Sequence, residues 1–166
     1  QRDGRAIAGL SMGGFGALTL ALRNPTLFSA AASHSGVNAL LYAGPVPYQA
    51  GQVVSVTDVS RWGAELGEFG RWMRDIFGPD LAQWKAHDPI ELVKARPDVD
   101  LYLDCGTEDF FMLHNHAQYL HDTLTGLGIA HAYYLGPGSH DFRFWSERVD
   151  DSLRFLRDKL AARAAR

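Results

Sequence analysis

The 166-residue sequence contains a single cysteine, Cys105, so it cannot carry an internal disulfide framework. No apolar run approaches the roughly 18 residues that a membrane-spanning helix requires. The 16 basic and 19 acidic side chains give a net charge of −3 without a basic cluster, which argues against nucleic-acid binding. The sequence opens at Gln1 instead of a methionine, so it carries no information on a leader peptide and leaves the compartment open.

Short apolar segments alternate with helical ones along the chain. Strands are predicted over Arg5–Leu10, Phe28–Ser33, Val99–Cys105 and His131–Leu135. Helices are predicted over Phe15–Arg23, near Trp62–Phe77 and Asp80–Lys85, over Met112–Leu127, and in a last segment capped by Ser146 with an apolar stripe of Val149, Leu153, Leu156 and Leu160. This order predicts an α/β fold, with a mostly parallel sheet and helices on both faces. Residues 36–97 are expected to form an irregular, cap-like insertion.

A glycine-rich turn joins the first predicted strand to the first predicted helix. Its sequence, GLSMG (9–13), matches the G-x-S-x-G nucleophile elbow in the strand-to-helix context that the motif requires. Because a sharp turn brings neighbouring chains close together, side chains at positions 9 and 13 are expected to collide with them. The N–H of Met12, at the start of the helix, is the expected oxyanion donor. A structural serine at position 11 is the alternative interpretation.

The acid and the histidine that accompany such a serine follow it in that order, on loops after strands. Asp109 follows the third predicted strand and His140 the fourth. His140 is predicted to take the proton of Ser11, and Asp109 to fix the imidazole tautomer. Asp104 and Glu108 are so close in sequence to Asp109 that either could replace it.

No cofactor or metal is predicted. The glycines lack the spacing of a dinucleotide fingerprint, and no phosphate-loop motif is present. His114, His116 and His121 share one predicted helix without the i, i+4 pairing and carboxylate of a zinc site, so a solvated helix face is expected. His34 is expected to be packed, and Cys105 to be a small buried side chain.

Three stretches together resemble the esterase D-like family of the α/β-hydrolase superfamily: GLSMGGFGA (9–17), DCGTEDF (104–110) and GSHDFRFW (138–145). This family includes feruloyl and acetyl-xylan esterases, S-formylglutathione hydrolases and the antigen 85 mycolyltransferases. The resemblance implies Ser11 as nucleophile, Asp109 as acid and His140 as base. It also implies hydrolysis of small acyl or feruloyl-type esters through an acyl-enzyme. Acyl transfer and a catalytically silent half of an assembly are the alternative functions.

Members of this family are usually longer, with strands and a second oxyanion donor ahead of the elbow. Without them, the predicted strand Arg5–Leu10 has an unpaired apolar edge, which is an aggregation liability. The chain is therefore expected to be the C-terminal part of a single α/β-hydrolase domain. An upstream segment or a partner chain is expected to cover that edge.

Overall fold

A four-stranded parallel sheet forms the centre of the molecule in the computed structural model, which describes residues 2–95 and 97–165. The strands are β1 (Ala6–Leu10), β2 (Ala30–His34), β3 (Asp100–Gly106) and β4 (His131–Gly136), and they lie side by side in that order. All three pairings are parallel, so the carboxyl ends of the four strands lie at one edge of the sheet. The predicted α/β class is confirmed.

Six helices accompany the sheet in the described residues. They are α1 (Met12–Arg23), α2 (Glu68–Phe77), α3 (Leu81–Lys85), α4 (Pro89–Leu92), α5 (Leu113–Gly126) and α6 (Phe142–Ala164). Short 3₁₀ turns lie at Arg2–Gly4, Val59–Arg61, Ala64–Leu66 and Val93–Ala95. Within residues 2–95 and 97–165, no helix combines the length and apolar character that crossing a bilayer would need.

Alternate residues of the central strands pack on opposite faces of the sheet. Ala31 of β2 and Leu103 of β3 join one core cluster with side chains of α1, α4 and α5. Ala32 and Tyr102, each one residue away, pack instead with Leu156 of α6. Successive side chains of any strand point to opposite faces, and here the side chains on both faces are buried. The sheet is therefore covered by helices on both faces, as the sequence predicted.

The last helix begins earlier than the sequence predicted. Its cap is Asp141, whose carboxylate accepts the N–H of Phe144 at 2.9 Å. Ser146 lies inside the helix, where its hydroxyl donates to the carbonyl of Arg143. The prediction of a Ser146 cap is wrong because Asp141 is an equally good cap closer to the end of β4.

The stripe predicted for α6, made of Val149, Leu153, Leu156 and Leu160, is wrong at its first two positions. Val149 is 40% exposed and Leu153 is 54% exposed, whereas Leu156 is buried. The helix turns Ser152 toward the sheet instead, where its hydroxyl lies 2.9 Å from a nitrogen of His34. A hydrogen-bonded polar side chain thus occupies the face that hydrophobicity alone assigns to leucines.

The segment 36–97 packs around a core of its own against α1 and α5. Trp84 is fully buried at its centre and contacts Trp62, with ring centroids 5.1 Å apart. Asp88 fixes the start of the segment, because its carboxylate accepts the backbone N–H groups of Leu40 and Leu41. These contacts hold the segment together as a wall beside the carboxyl edge of the sheet.

Candidate active site

Ser11 stands at the turn between β1 and α1. Its backbone has φ 53° and ψ −124°, a conformation that side-chain-bearing residues rarely adopt. Its N–H donates to the carbonyl of His34 at 2.8 Å, which ties the turn to the neighbouring strand. Strain of this kind persists only where the surroundings fix it, and it is concentrated at functional sites.

Glycine at position 9 is required by the close approach of β1 to α1. A Cβ on Gly9 would lie 2.2 Å from the carbonyl oxygen of Gly13. The collision expected at position 13 itself is wrong, since a Cβ there meets no described atom within 4 Å. The second tight position is Gly14, where a Cβ would lie 2.6 Å from the hydroxyl of Ser33. The tight contact at position 13 is made by its carbonyl group, which the sequence motif does not reveal.

The structure brings together the three side chains that the sequence singled out. Nε2 of His140 lies 2.9 Å from Oγ of Ser11, and Nδ1 lies 2.7 Å from Oδ2 of Asp109. The three residues follow β1, β3 and β4, whose carboxyl ends meet at the same edge of the sheet. They form a continuous line of hydrogen bonds from a hydroxyl to a buried carboxylate.

Further contacts hold the carboxylate of Asp109 in place. Its Oδ1 accepts the N–H of Phe111 at 2.9 Å and that of Leu113 at 3.5 Å. The thiol of Cys105 donates to Oδ2 at 3.5 Å. Burial, reinforced by the charge of Asp109, raises the pKa of Cys105, so the thiol stays protonated and remains a donor.

The loop that carries His140 packs tightly against the end of β3. A Cβ on Gly106 would lie 2.1 Å from the carbonyl oxygen of Gly138. The carboxylate of Glu108 accepts the N–H of Gly138 at 2.8 Å, and its backbone carbonyl accepts the hydroxyl of Ser139 at 3.3 Å. The side chain of Glu108 thus holds the histidine loop and does not contact the imidazole.

Asp104 lies in a second histidine–carboxylate pair. Its Oδ2 is 2.7 Å from Nδ1 of His34, whose Nε2 is 2.9 Å from the hydroxyl of Ser152. All three residues are buried, and the hydroxyl of Ser152 donates to the carbonyl of Val149. This set of groups resembles the first one chemically, but it has no access to a substrate.

A cleft of about 730 Å³ opens onto Ser11. Its wall is mainly apolar and comes from two parts of the chain. The segment 36–97 and the turn that leads into α5 supply, respectively, Val37, Leu40, Val56, Trp62, Leu66 and Phe69, and Phe111, Met112 and Leu113. The indole N–H of Trp62 donates to the carbonyl of Leu40 at 2.7 Å, so this wall is fixed. Asp58, Arg61 and Glu65 supply charged groups to the lining.

His116 also lines the cleft, and the expectation of a solvated histidine face is wrong at this position. Its ring lies 5.0 Å from that of Tyr42, and burial lowers its pKa to about 4. It is therefore neutral at pH 7. Helical spacing could have revealed its place, since it lies three and four residues from the buried Leu113 and Leu120.

The start of α1 can stabilise a negative charge beside Ser11. Met12 is the first residue of this helix and lines the cleft. The first N–H groups of a helix have no partner within it, and the dipole there is positive. In residues 2–95 and 97–165, no group of three or more His, Cys, Asp or Glu side chains is placed to hold a metal ion.

The fold is that of an α/β-hydrolase. An S-formylglutathione hydrolase from Agrobacterium tumefaciens superposes on 96% of this chain with a TM-score of 0.70, at 23% identity, and the match covers 50% of that protein. A ferulic acid esterase superposes on 95% of this chain with a TM-score of 0.64, at 20% identity, and the match covers 52% of it.

The family model described as "Putative esterase" matches residues 1–156, and the chain belongs to this esterase family. It is 32% identical to the esterase Rv1288 of Mycobacterium tuberculosis over 160 residues, which cover 90% of this chain and 33% of the relative. It is 28% identical to an S-formylglutathione hydrolase of Rattus norvegicus over 156 residues, which cover 90% of this chain and 46% of that protein. The chain thus spans less than half the length of these curated relatives.

The contact at Gly9 generates a prediction. Gly9→Ala should lower the free energy of unfolding by about 1–3 kcal/mol, because the new methyl group forces the elbow apart. Gly16→Ala is the matched control, since a Cβ there meets no described atom within 4 Å and alanine favours a helix. Urea unfolding of both variants checks this. Equal stability of the two variants would contradict the close contact.

Proposed function

We propose that the protein hydrolyses carboxylic esters through an acyl-enzyme formed on Ser11. The observation that carries this proposal is the line of hydrogen bonds from Ser11 through His140 to Asp109. The apolar cleft that opens onto the serine and the membership of the esterase family support it.

In the first half of the reaction, Oγ of Ser11 forms a bond to the carbonyl carbon of the ester while its proton moves to Nε2 of His140. The carbonyl π electrons move to the oxygen, and the N–H of Met12 stabilises that oxyanion. When the ester C–O bond breaks, His140 returns the proton to the departing alcohol. Water then repeats the sequence on the acyl-enzyme, so that the carboxylic acid leaves and Ser11 recovers its proton.

Asp109 acts through the imidazole and does not touch the substrate. Its carboxylate is 2% exposed and accepts the N–H of Nδ1, which leaves Nε2 as the acceptor facing Ser11. The same carboxylate stabilises the imidazolium that forms in each half-reaction. Its fixed orientation means that no reorganisation is needed when that charge appears.

Turnover of p-nitrophenyl acetate by the intact protein tests the proposal. Ser11→Ala should lower kcat by about 10⁶-fold, since the nucleophile is lost. Asp109→Asn should lower kcat by about 10⁴-fold, because the amide favours the wrong imidazole tautomer. Asp150→Asn is the matched control: Asp150 is exposed on α6, away from the three side chains, so this variant should leave kcat close to the wild-type value. Turnover by Ser11→Ala at the wild-type rate would refute the mechanism.

We propose further that the cleft binds the acyl group, and that small acyl or feruloyl-type esters are the substrates. The volume of about 730 Å³ lies within the range of sites for small molecules, and the lining has the apolar character of such sites. Trp62 and Phe69 provide flat surfaces against which an aromatic acid could pack. One of the similar solved structures is a ferulic acid esterase, which is consistent with this choice.

Substitution of Leu66 tests whether the acyl group binds in the cleft, because Leu66 lines the cleft and is 42% exposed. Leu66→Asp should lower kcat/KM for methyl ferulate by about tenfold, equivalent to about 1.4 kcal/mol, because a carboxylate replaces apolar contact. Ile76→Asp is the control: Ile76 is 70% exposed and lies outside the cleft lining. Equal losses in the two variants would contradict the assignment.

We propose that residues 1–166 form the C-terminal part of a single α/β-hydrolase domain, with 36–97 as a cap over the cleft. The outer edge of β1 would then pair with a segment of the same protein outside these residues. The apolar strand Ala6–Leu10 supports this, because β1 is the terminal strand of the described sheet and only partly buried, whereas β2 is buried throughout. A partner chain at that edge is the alternative.

Size-exclusion chromatography of the 166-residue chain tests whether the outer edge of β1 is unpaired. The chain should self-associate, because an unpaired apolar strand recruits further strands. Ala8→Lys, at the exposed middle of β1, should reduce this association, whereas Ala161→Lys near the end of α6 should not. A monomeric wild-type chain whose β1 amides exchange hydrogen as slowly as those of β2 would count against the proposal.

A further inference from the structure

The hydrogen bonds of His140 restrain one motion of its ring only weakly. The bonds at Nδ1 and Nε2 lie at opposite ends of the imidazole and define an axis through it. Rotation about that axis bends both bonds only gradually, because each bond points nearly along the axis, so the bonds alone resist the rotation weakly. Contacts with the sides of the ring must therefore fix its tilt.

Aromatic side chains provide those contacts. The rings of Trp145 and Phe111 each have their centroid 5.0 Å from that of His140, at interplanar angles of 84° and 85°. Phe111 is 53% exposed, whereas Trp145 is only 9% exposed. The buried Trp145 is thus the contact that can hold a fixed position.

Trp145 is itself anchored by a polar contact. Its indole N–H donates to the hydroxyl of Ser35 at 3.1 Å. Ser35 is fully buried, and its backbone N–H donates to the carbonyl of Asp104 at 2.8 Å. These two hydrogen bonds therefore anchor the indole to the ends of β2 and β3.

Ser35 has an unfavourable backbone conformation for a residue with a side chain. Among the residues that the structure describes, three non-glycine residues have positive φ: Ser11 at 53°, Ser35 at 46° and Met112 at 58°. Ser11 is the nucleophile of the proposed reaction, and Met112 lines the cleft. Strained residues of this kind are concentrated at functional sites, where the rest of the fold holds them.

The position of Ser35 at the end of β2 explains why it can support the ring of Trp145 beside His140. His140 follows β4, yet its imidazole reaches Ser11 after β1, three strand spacings or about 14 Å away along the sheet. Ser35 follows β2, which lies between them. Ser35 thus anchors the indole of Trp145 from a strand that lies between the two loops.

We propose that Ser35 and Trp145 are positioning residues that hold the imidazole of His140 in line with Ser11. The proposal rests on the proposed function, because the reaction gives the alignment its purpose. Neither residue lines the cleft, so neither contributes to substrate binding. Their loss should slow proton transfer and leave the affinity for the ester unchanged.

Steady-state hydrolysis of p-nitrophenyl butyrate by the intact protein tests the positioning role. The variants are Ser35→Ala, Ser35→Gly and Trp145→Phe. The glycine variant removes the hydroxyl without backbone strain, and the phenylalanine variant keeps a ring but loses the indole N–H. Fluorophosphonate labelling to its end point gives the fraction of active protein, so that kcat is expressed per reactive serine. Ser146→Ala and Trp72→Phe are matched controls at exposed positions.

We expect kcat to fall by about 10- to 100-fold in the three variants with unchanged KM, because small misplacements of a catalytic group have effects of this size. Fluorophosphonate should label them more slowly but to the wild-type end point. Wild-type kcat per reactive serine in all three would overturn the positioning role. If Ser11→Ala abolishes turnover in that same series, the proposed function stands; if it does not, both proposals fall.

Discussion

The hydrogen bond between His140 and Asp109 is the interaction on which the rest of the site depends. It joins two loops that follow adjacent strands, β3 and β4, and it selects which nitrogen of the imidazole faces the serine. Because Gly106 has no side chain, the backbone of the histidine loop can approach the end of β3 closely at Gly138. Without that approach, the histidine could not extend across the sheet toward Ser11 and remain bonded to its carboxylate.

The described residues include two hydrogen-bonded sets of serine, histidine and aspartate side chains, which differ in their surroundings. The hydroxyl of Ser11 borders a cleft and stands beside the first N–H groups of α1. The hydroxyl of Ser152 is buried and already donates to a carbonyl of its own helix. The second set ties α6 to the sheet, and α6 in turn carries Trp145 to the ring of His140.

The segment 36–97 shows how a stretch with little regular secondary structure can still be held together by buried contacts. Three short helices and several turns are held by a buried tryptophan, by aromatic contacts and by the carboxylate of Asp88, which accepts three backbone N–H groups. A carboxylate in this role replaces the backbone pairing that a strand would supply. These contacts fix the side chains that line the cleft on this side.

The sequence by itself determined the α/β class, the four strands to within about two residues and the elbow around Ser11, because these depend on local periodicity and on a short motif with strict steric demands. It also pointed to Asp109 and His140, whose order and position after strands follow from the fold. Only the tertiary structure decided which carboxylate faces His140. Three carboxylates lie close together in sequence, at Asp104, Glu108 and Asp109. The direction in which each side chain points depends on where β3 ends and on how the histidine loop packs.

The sequence alone could not decide four further features either. They are the cap of α6, the burial of Ser152, the open space at Gly13 and the position of His116 in the cleft. Each depends on which residues from distant parts of the chain come close, and a local pattern contains no such information. The contact of Trp145 with Ser35 is an extreme case, since 110 residues separate them. Local chemistry therefore specified the elements and the candidate residues, while long-range packing set the directions and the exposure of their side chains.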